Sequence, residues 1–197
     1  MSVISRGFGA RRRESDERLP PGQYLADDFP VLSAGPTPRV PLETWEFVIV
    51  DLDGIRHTWS WDDLHALPVE TITTDIHCVT RWSKLGTHWR GVSVERLLEQ
   101  IGADGAFAEV FSYGGYTTNV SRADLTGGKA WVAFEFGGEP LAPEHGGPAR
   151  LLVPHLYFWK SAKWVHGLNL RDHDAPGFWE QNGYNMHGDP WKEERYW

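Results

Sequence analysis

The chain has 197 residues, a length that suits one domain with a substantial hydrophobic core. Its 27 acidic and 19 basic residues give a net charge of −8, which argues against nonspecific binding to nucleic acid or to an anionic membrane surface. No stretch approaches the roughly 20 apolar residues of a membrane-spanning helix, so we expect no membrane insertion. The single cysteine excludes an intramolecular disulfide and fits a reducing cytoplasm.

The N-terminal region is predicted to be a loose arm over residues 1–24, with one domain over residues 25–197. Three arginines at 11–13 resemble a twin-arginine export signal, but charged residues follow at 14–18 where an apolar stretch is needed. We therefore expect a cytoplasmic protein. The apolar run that begins at Phe29 is interrupted by proline, which predicts an extended segment laid over the domain.

Turn and capping signals predict the first regular elements of the domain. A strand over residues 45–52 ends at Asp53-Gly54, which is a strong hairpin signal. Ser60 is placed to cap a short helix, with Asp63 at the capping-box position. Alternating residues then predict a strand over 69–79.

Further along the chain, the strongest helix signal spans residues 93–101, where four apolar side chains share one face and Gly102 provides the end. Gly137-Gly138 predicts a second hairpin turn. Strands dominate and no βαβ alternation is visible, so the fold class is predicted as α+β with mixed or antiparallel sheets and few short helices. The remaining strands are predicted over residues 109–113, 130–136, 150–153 and 165–170.

Cys78 lies where a predicted strand runs into a polar, aromatic turn. A lone cysteine is often a small buried hydrophobe, and the residues alone leave that interpretation open. His77 and Arg81 lie close in sequence, however, and a nearby cation favours the thiolate, the form that attacks electrophiles and binds metals.

Two further segments carry groups that suit a ligand. Residues 112–119 combine two glycines with hydroxyls and an amide, so the backbone can approach a ligand closely; a polar hairpin loop is the alternative. Lys160, Ser161 and Lys163 lie between aromatic residues, and fixed cations with hydroxyl donors suit a phosphate. Solvated lysines on a Trp-rich surface are the alternative for this second segment.

Several common sites are not supported. The nine histidines show no HExxH motif, and one cysteine cannot build a Cys-type zinc site within one chain. There is no GxSxG nucleophile elbow and no Gly-rich Walker loop. No haem, iron–sulfur or flavin motif is visible either, so any redox function requires a separate electron-transfer partner.

Six short segments keep a distinctive order and spacing: CVTRWS (78–83), WRGV (89–92), GYTTN (115–119), GPARLLVP (147–154), KSAKW (160–164) and WEQNGY (179–184). Together they resemble the sulfite-oxidase-fold molybdopterin oxidoreductases, a family that includes sulfite oxidases, plant-type nitrate reductases and bacterial protein-methionine-sulfoxide reductases. The resemblance extends over residues 29–184 and is greatest with the small, stand-alone bacterial members.

The resemblance implies a molybdenum–molybdopterin cofactor, with Cys78 as the protein thiolate on molybdenum. It places Arg150 and the turn Ser161-Ala162-Lys163 on the pyranopterin and its phosphate. A thiolate is a soft ligand, and cations can offset the negative charge of the dithiolene and phosphate.

The resemblance also assigns cofactor contacts elsewhere in the chain. His145 stands where a sulfoxide-reductase-like relative has a cofactor-binding Asn. Ser112 or Tyr113 stands where that relative has a cofactor-binding Thr. The early cofactor-wrapping strand of the family corresponds to Phe29, Pro30 and Val31.

The function implied by the resemblance is transfer of an oxygen atom to or from a small substrate such as a sulfoxide, sulfite or a similar oxyanion. Arg81 is the candidate anchor for an oxyanion, and Tyr116 the candidate donor to the transferred oxygen. Trp82 replaces the second arginine of sulfite oxidases, and the chain has no room for their dimerising or haem domains, so sulfoxide reduction is favoured over sulfite oxidation. The alternatives are a non-catalytic cofactor carrier and a ligand-binding module with a Trp-lined cleft.

Overall fold

The computed structural model describes residues 17–197. Its strands, in chain order, are β1 (Tyr24–Leu25), β2 (Glu46–Val50), β3 (Arg56–Ser60), β4 (Glu70–His77), β5 (Trp82–Ser93), β6 (Phe107–Ser112), β7 (Thr117–Ser121), β8 (Trp131–Phe136), β9 (Glu139–Pro140), β10 (Arg150–Leu152) and β11 (Val165–Arg171). Its helices are α1 (Trp61–Ala66), α2 (Val94–Ile101), α3 (Arg122–Leu125) and α4 (Phe178–Gln181), with 3₁₀ turns at Leu42–Thr44, Pro143–His145 and Pro190–Lys192.

The strands form two mixed sheets. One sheet has the order β1-β5-β8-β10, with β4 beside β5 and β9 beside β8, and the other has the order β3-β2-β11-β6-β7. The pairs β1–β5 and β2–β11 are parallel, and the other strand pairs of the two sheets are antiparallel. The predicted α+β class with mixed sheets and few short helices is confirmed. Within residues 17–197, no helix combines the length and apolar character needed to cross a membrane.

The capping signals behave as predicted. The Ser60 hydroxyl accepts the Asp63 N–H at 3.2 Å, and the Asp63 carboxylate accepts the Ser60 N–H at 3.0 Å, which completes a capping box at the start of α1. Helix α2 ends at Gly102, whose φ of 61° is left-handed and favours glycine. Both elements are therefore fixed largely by local sequence.

Strand β5 was not predicted, although it is the longest strand and lies at the centre of the first sheet. Its sequence is interrupted by Gly86 and Gly91, and this weakens the alternating pattern. A Cβ at Gly91 would lie 2.5 Å from the Val132 carbonyl oxygen of β8, so only glycine allows this approach. The pairing of β5 with β8 shifts register between Arg90 and Gly91. Strands β3 and β7 were also not predicted.

Most of the predicted arm, residues 1–16, lies outside the described residues. Its last residues are held by the domain. The Tyr24 N–H donates to the Arg81 carbonyl at 2.8 Å, and the Gln23 side-chain amide donates to the Cys78 carbonyl at 3.0 Å. The chain from Gln23 onward is therefore anchored beside the turn that carries the cysteine.

Buried apolar side chains form two clusters. The larger cluster packs α2 against strands of both sheets, and its members Val94 and Leu97 are fully buried. The second cluster surrounds Cys78 with large aromatic side chains, among them Trp82 and Phe158. Each buried aromatic side chain removes a large apolar area from water, so this second cluster stabilises the turn at Cys78.

Asp124 is a point of contact between α3 and two later loops. Its carboxylate accepts hydrogen bonds from the Ser121 hydroxyl at 2.5 Å and from the His155 ring at 2.9 Å, and it pairs with His187 at 3.5 Å. Burial raises the pKa of Asp124. The hydrogen bonds from His155 and Ser121 and the charge of His187 have the larger, opposite effect, so the pKa is lowered to about 2. The ionised carboxylate therefore stabilises the folded state.

We predict that Asp124→Asn lowers the free energy of unfolding by about 2 kcal/mol at pH 6, because a pKa unit corresponds to about 1.4 kcal/mol. A carboxyl pKa lowered on folding stabilises fully above the ordinary value of 3.8, and that stabilisation is lost as the pH falls towards 2. The difference between the two proteins should therefore shrink as the pH is lowered from 4. Urea unfolding at several pH values measures it.

The matched control is Asp104→Asn, because the Asp104 side chain is 92% exposed. Its effect should stay within about 0.5 kcal/mol at each pH. A constant difference for Asp124→Asn at every pH would contradict the prediction.

Candidate functional site

Cys78 lies in the tight turn between β4 and β5. Its N–H donates to the Trp82 carbonyl at 2.8 Å, and its carbonyl accepts the Arg81 N–H at 3.0 Å. Arg81 closes the turn with a left-handed φ of 78°, which is uncommon for a residue other than glycine. The Cys78 side chain is buried, and its Sγ accepts a hydrogen bond from the Thr80 hydroxyl at 3.2 Å. The turn therefore holds the thiol in a defined position.

Burial raises the pKa of the Cys78 thiol, and hydrogen bonds to Thr80 together with the charge of Arg195 act in the opposite direction. The two cations expected from the sequence, His77 and Arg81, are not among the groups that lower the pKa of the thiol. His77 is buried, which lowers its pKa, and the Arg81 side chain is exposed. Arg195, which is far away in sequence, lowers the pKa of the thiol, and Arg150 and Lys163 also interact with the charge of Cys78.

Arg195 is held close to the cysteine turn by its own contacts. Its guanidinium donates to the Val79 carbonyl at 2.7 Å and to the Pro21 carbonyl at 3.3 Å. It also lies over the Tyr157 ring, with 4.9 Å between the guanidinium carbon and the ring centroid. The C-terminal segment is thereby bonded to the cysteine turn at Val79.

A cavity of about 530 Å³ opens beside the thiol. Two cations, Arg150 and Lys163, line it, and within residues 17–197 no carboxylate side chain does. A flat ligand with negative charge is therefore the chemical class that this cavity suits. Aromatic side chains form a large part of its wall, with contributions from Phe29, Trp82, Tyr116, Phe158, Trp159, Trp164, Phe178, Trp179 and Tyr184.

Arg150 begins β10 with its side chain almost fully buried. Its two terminal nitrogens donate to the His145 carbonyl at 2.8 Å and to the Ser161 carbonyl at 2.6 Å, and its guanidinium carbon lies 3.9 Å from the Phe158 ring centroid. Burial lowers the pKa of Arg150 to about 9, so the side chain is a cation at neutral pH. Its Nε has no hydrogen-bond partner among the described residues, which leaves one buried donor.

Lys163 is the second cation of the cavity. Its ammonium donates to the Leu32 carbonyl at 2.7 Å and to the Glu144 carbonyl at 2.6 Å, and a lysine has a third donor to offer a ligand. Burial and the neighbouring charge of Arg150 lower the pKa of Lys163 to about 8. An anion in the cavity would offset both effects.

The structure brings together most of the residues that the sequence predicts for the site. The Arg81 side chain is exposed and does not line the cavity, and Val31, which is 52% exposed, does not line it either. The predicted residues that do line it are Cys78, Phe29, Pro30, Tyr116, Arg150, Ser161, Ala162 and Lys163.

Three other predicted residues do not line the cavity. The Tyr113 hydroxyl donates to the carbonyl of Glu46, in strand β2 of the second sheet, at 3.0 Å. The His145 ring stacks on Phe29 with 4.0 Å between centroids, and its Nδ1 is buried without a partner in the described chain. Ser112 is buried, and its hydroxyl likewise finds no partner among the described residues. Loop sequence alone does not reveal such side-chain directions.

Tyr116 is tied to a buried polar network. Its hydroxyl donates to the Trp159 carbonyl at 2.7 Å. The Trp159 ring N–H in turn donates to Oε1 of Glu180 at 2.8 Å, as does the Thr118 hydroxyl at 2.8 Å. The Tyr116 hydroxyl is therefore already engaged by the protein.

The same carboxylate oxygen pairs with Lys160 at 2.7 Å, and both side chains are fully buried. The Lys160 ammonium also donates to the Asn119 side chain at 2.7 Å and to the Met186 carbonyl at 2.7 Å. Since the ammonium has three donors and three or more acceptors surround it, the buried charge is well solvated by the protein.

The C-terminal part of the site has no role among the sequence predictions. Phe178, Trp179 and Tyr184 line the cavity, and Glu180 supports it. Their segment contributed only to the family resemblance. Arg195 carries no signal at all in the sequence, because nothing there indicates that the chain end returns to the cysteine turn.

Metal-ligating side chains are sparse. In the described chain, no three or more His, Cys, Asp or Glu side chains come together in a group that could hold a metal ion. Cys78 is the cysteine of the sequence, and it lines the cavity.

Comparison with known proteins agrees with this chemistry. Residues 34–179 match the family model of the oxidoreductase molybdopterin binding domain. The oxidoreductase YuiH of Bacillus subtilis (strain 168) is 40% identical over 194 residues, which are 96% of this chain and 98% of that protein. A putative protein-methionine-sulfoxide reductase subunit, YedZ1 of Azospira oryzae, is 31% identical over 68% of this chain and 51% of its own length.

More distant matches are longer proteins. The sulfite oxidase of Arabidopsis thaliana is 32% identical over 55% of this chain, a region that makes up 25% of the plant enzyme. The crystal structure of the sulfane dehydrogenase SoxCD from Paracoccus pantotrophus superposes with a TM-score of 0.64 at 20% identity, over 75% of this chain and 42% of that chain. This last similarity shows the fold alone.

We predict that Lys160→Met lowers the free energy of unfolding by about 3–5 kcal/mol, because the substitution leaves the Glu180 carboxylate buried without its cation. The double variant Lys160→Met, Glu180→Gln should lose less than the sum of the two single variants. Chemical denaturation measures all three.

The control is Lys192→Met. Lys192 forms an ion pair with Asp189, and the Lys192 side chain is 65% exposed. It should change stability by at most about 1 kcal/mol. Equal effects of the two lysine substitutions would show that the buried pair does not anchor the site.

Proposed function

The chain belongs to the family of oxidoreductases with a molybdopterin-binding domain, and from that premise we propose that it uses Cys78 to bind molybdenum and reduces small sulfoxides or related oxygen donors. The family predicted from the six sequence segments is confirmed. The protein is thus a molybdopterin-dependent oxidoreductase with the fold of sulfite-oxidase-type enzymes, and oxygen-atom transfer is its reaction class.

One observation carries the proposed site: a thiol and two cations share a cavity that no described carboxylate lines. The residues present fit a pyranopterin cofactor. Aromatic walls suit a flat ring system, and the Nε of Arg150 and the ring N–H of Trp82 are buried donors without partners among the described residues. Both residues line the cavity.

In this proposal the protein residues bind, orient and shield. Arg150 and Lys163 hold the anionic part of the cofactor, and Ser161 and Ala162 form the wall between them. Phe29 and its neighbour Pro30 cover the ligand from the extended N-terminal segment. When bound, the molybdenum group supplies the redox and oxygen-transfer chemistry, and the protein tunes it through this surrounding.

The charges support a neutral substrate. Arg150 and Lys163 each donate to two backbone carbonyls and are assigned to the cofactor, while Arg81 does not line the cavity. The role of Arg81 as an oxyanion anchor stays a prediction, and so does the role of Tyr116 as a donor to the transferred oxygen. A sulfoxide needs neither a further cation nor a large site.

A separate electron-transfer partner and a cytoplasmic location belong to the same proposal. The sequence has one cysteine, whereas iron–sulfur clusters usually require several, which favours electrons supplied by another molecule. The single free thiol fits a reducing compartment.

We expect the purified protein to contain molybdenum, and Cys78→Ser to abolish reduction of dimethyl sulfoxide by an artificial electron donor while the fold persists. Serine offers a hard oxygen ligand in place of a soft sulfur. Elemental analysis, circular dichroism and steady-state kinetics check the three parts. Full activity of Cys78→Ser would refute the assignment, and efficient sulfite oxidation without reduction of any acceptor would reverse the proposed direction.

Lys163→Ala should lower the molybdenum content of the purified protein, because a charge-assisted contact contributes about 1.5–3 kcal/mol, or roughly tenfold or more in affinity. Lys129→Ala is the control, since that ammonium also donates to a carbonyl, that of Ala123, but does not line the cavity. If molybdenum content stays full in Lys163→Ala and only the Michaelis constant changes, Lys163 contacts the substrate instead.

A further inference from the structure

The extended segment between Phe29 and Val40 forms part of the cavity wall but has few bonds to the rest of the protein. Residues 30–38, here called the flap, supply seven of the residues that line the cavity, and every residue from 31 to 37 is exposed. In the described chain, residues 28–40 form one hydrogen bond to a residue outside that stretch. It is donated by the Lys163 ammonium to the Leu32 carbonyl at 2.7 Å.

Both ends of the flap are fixed by packing. At one end, the Phe29 ring stacks on His145 with 4.0 Å between centroids. At the other end, Val40 packs against the larger buried cluster. Three prolines within the flap lack an N–H and hold the chain extended. The flap can therefore move as a stiff unit between two fixed ends, without the loss of any helix or strand.

Lys163 joins the flap to a fixed part of the wall. Its ammonium also donates to the Glu144 carbonyl at 2.6 Å. The 3₁₀ turn that contains Glu144 is bonded to the domain by the Trp164 ring N–H, which donates to the Pro143 carbonyl at 2.7 Å. With two of its three donors used, the ammonium keeps one for an anion in the cavity. An anion bound there would fix the ammonium, and the ammonium would fix the flap.

The flap is the part of the wall that opens most easily. Its displacement breaks one hydrogen bond to a charged group, a contact that changes an equilibrium roughly ten- to a hundredfold. The turn at Cys78, on another side of the cavity, is held by backbone hydrogen bonds at both Cys78 and Arg81. A ligand that the cavity largely encloses needs a wall that can move, and the flap meets that need at the lowest cost.

We propose that the flap is a gate that opens to admit the anionic cofactor and closes over it, with Lys163 as the latch. This inference rests on the proposed function, because it takes the anion in the cavity to be the molybdopterin cofactor. It gives Lys163 a second task besides binding, which is to couple the presence of the cofactor to closure of the wall.

Limited trypsin digestion of the full chain tests the gate. Arg39 directly follows the flap, is exposed, and has no ion pair or hydrogen bond with another described residue. Lys129, in the loop after α3, is an exposed reference site that does not line the cavity. The protein is prepared from hosts with and without molybdenum-cofactor synthesis, and mass spectrometry gives the cleavage rate at each site. Since a protease acts on the opened form, the rate at Arg39 follows the population of the open flap.

We expect cleavage after Arg39 to be at least about tenfold slower in the molybdenum-loaded wild type than in the cofactor-free protein, with little change after Lys129. Lys163→Met keeps the length of the side chain but loses the donor. Its cofactor-free form should therefore be cleaved after Arg39 about tenfold faster than the cofactor-free wild type. The matched control is Lys84→Met, because Lys84 donates to the Asp27 carbonyl at 2.9 Å and does not line the cavity. It should be cleaved after Arg39 as the wild type is.

Three results would overturn the gate and leave the proposed function intact. They are equal rates after Arg39 with and without the cofactor, equal protection of Arg39 and Lys129, and equal rates after Arg39 in cofactor-free Lys163→Met and wild type. A wild-type protein that contains no molybdenum when the host makes the cofactor would overturn the proposed function itself, and the gate would be rejected with it.

Discussion

One buried carboxylate oxygen, Oε1 of Glu180, connects the parts of the molecule that surround the cavity. It accepts hydrogen bonds from Thr118 in β7 and from the ring N–H of Trp159, and it pairs with the ammonium of Lys160. Lys160 extends the network to the Met186 carbonyl in the C-terminal segment. A buried ion pair is unfavourable unless close contact and hydrogen bonds offset its lost hydration. This requirement allows little variation in how the C-terminal segment packs against the rest of the protein.

The cavity carries the opposite charge to the chain as a whole. Arg150 and Lys163 face it in a protein with a net charge of −8, and burial lowers the pKa of both, to about 9 and about 8. Cations held in an apolar cavity are costly when nothing neutralises them. Because a ligand that binds only the folded state stabilises it, an anionic cofactor would stabilise this fold as well as equip it for chemistry.

Sequence patterns predicted the parts of the fold that depend on neighbouring residues, such as the capping box of Ser60 and the end of α2 at Gly102. They missed β5, because Gly91 is there to admit the backbone of β8, a contact with a residue about 40 positions away in sequence. The same division holds for the site. Short segments identified Cys78 and Arg150, but whether a loop side chain faces the cavity depends on packing, which no local pattern encodes.

The walls of the cavity constrain what the enzyme can distinguish. In a hydrophobic pocket, an extra methylene group on a substrate changes binding only modestly, about 1–3 kcal/mol, whereas a site built to form a hydrogen bond strongly favours substrates with the matching group. Among the neutral side chains beside Cys78, Thr80 is already bonded to sulfur. An accepting oxygen bound in this cavity must therefore find its hydrogen-bond donor in a group other than the Thr80 hydroxyl.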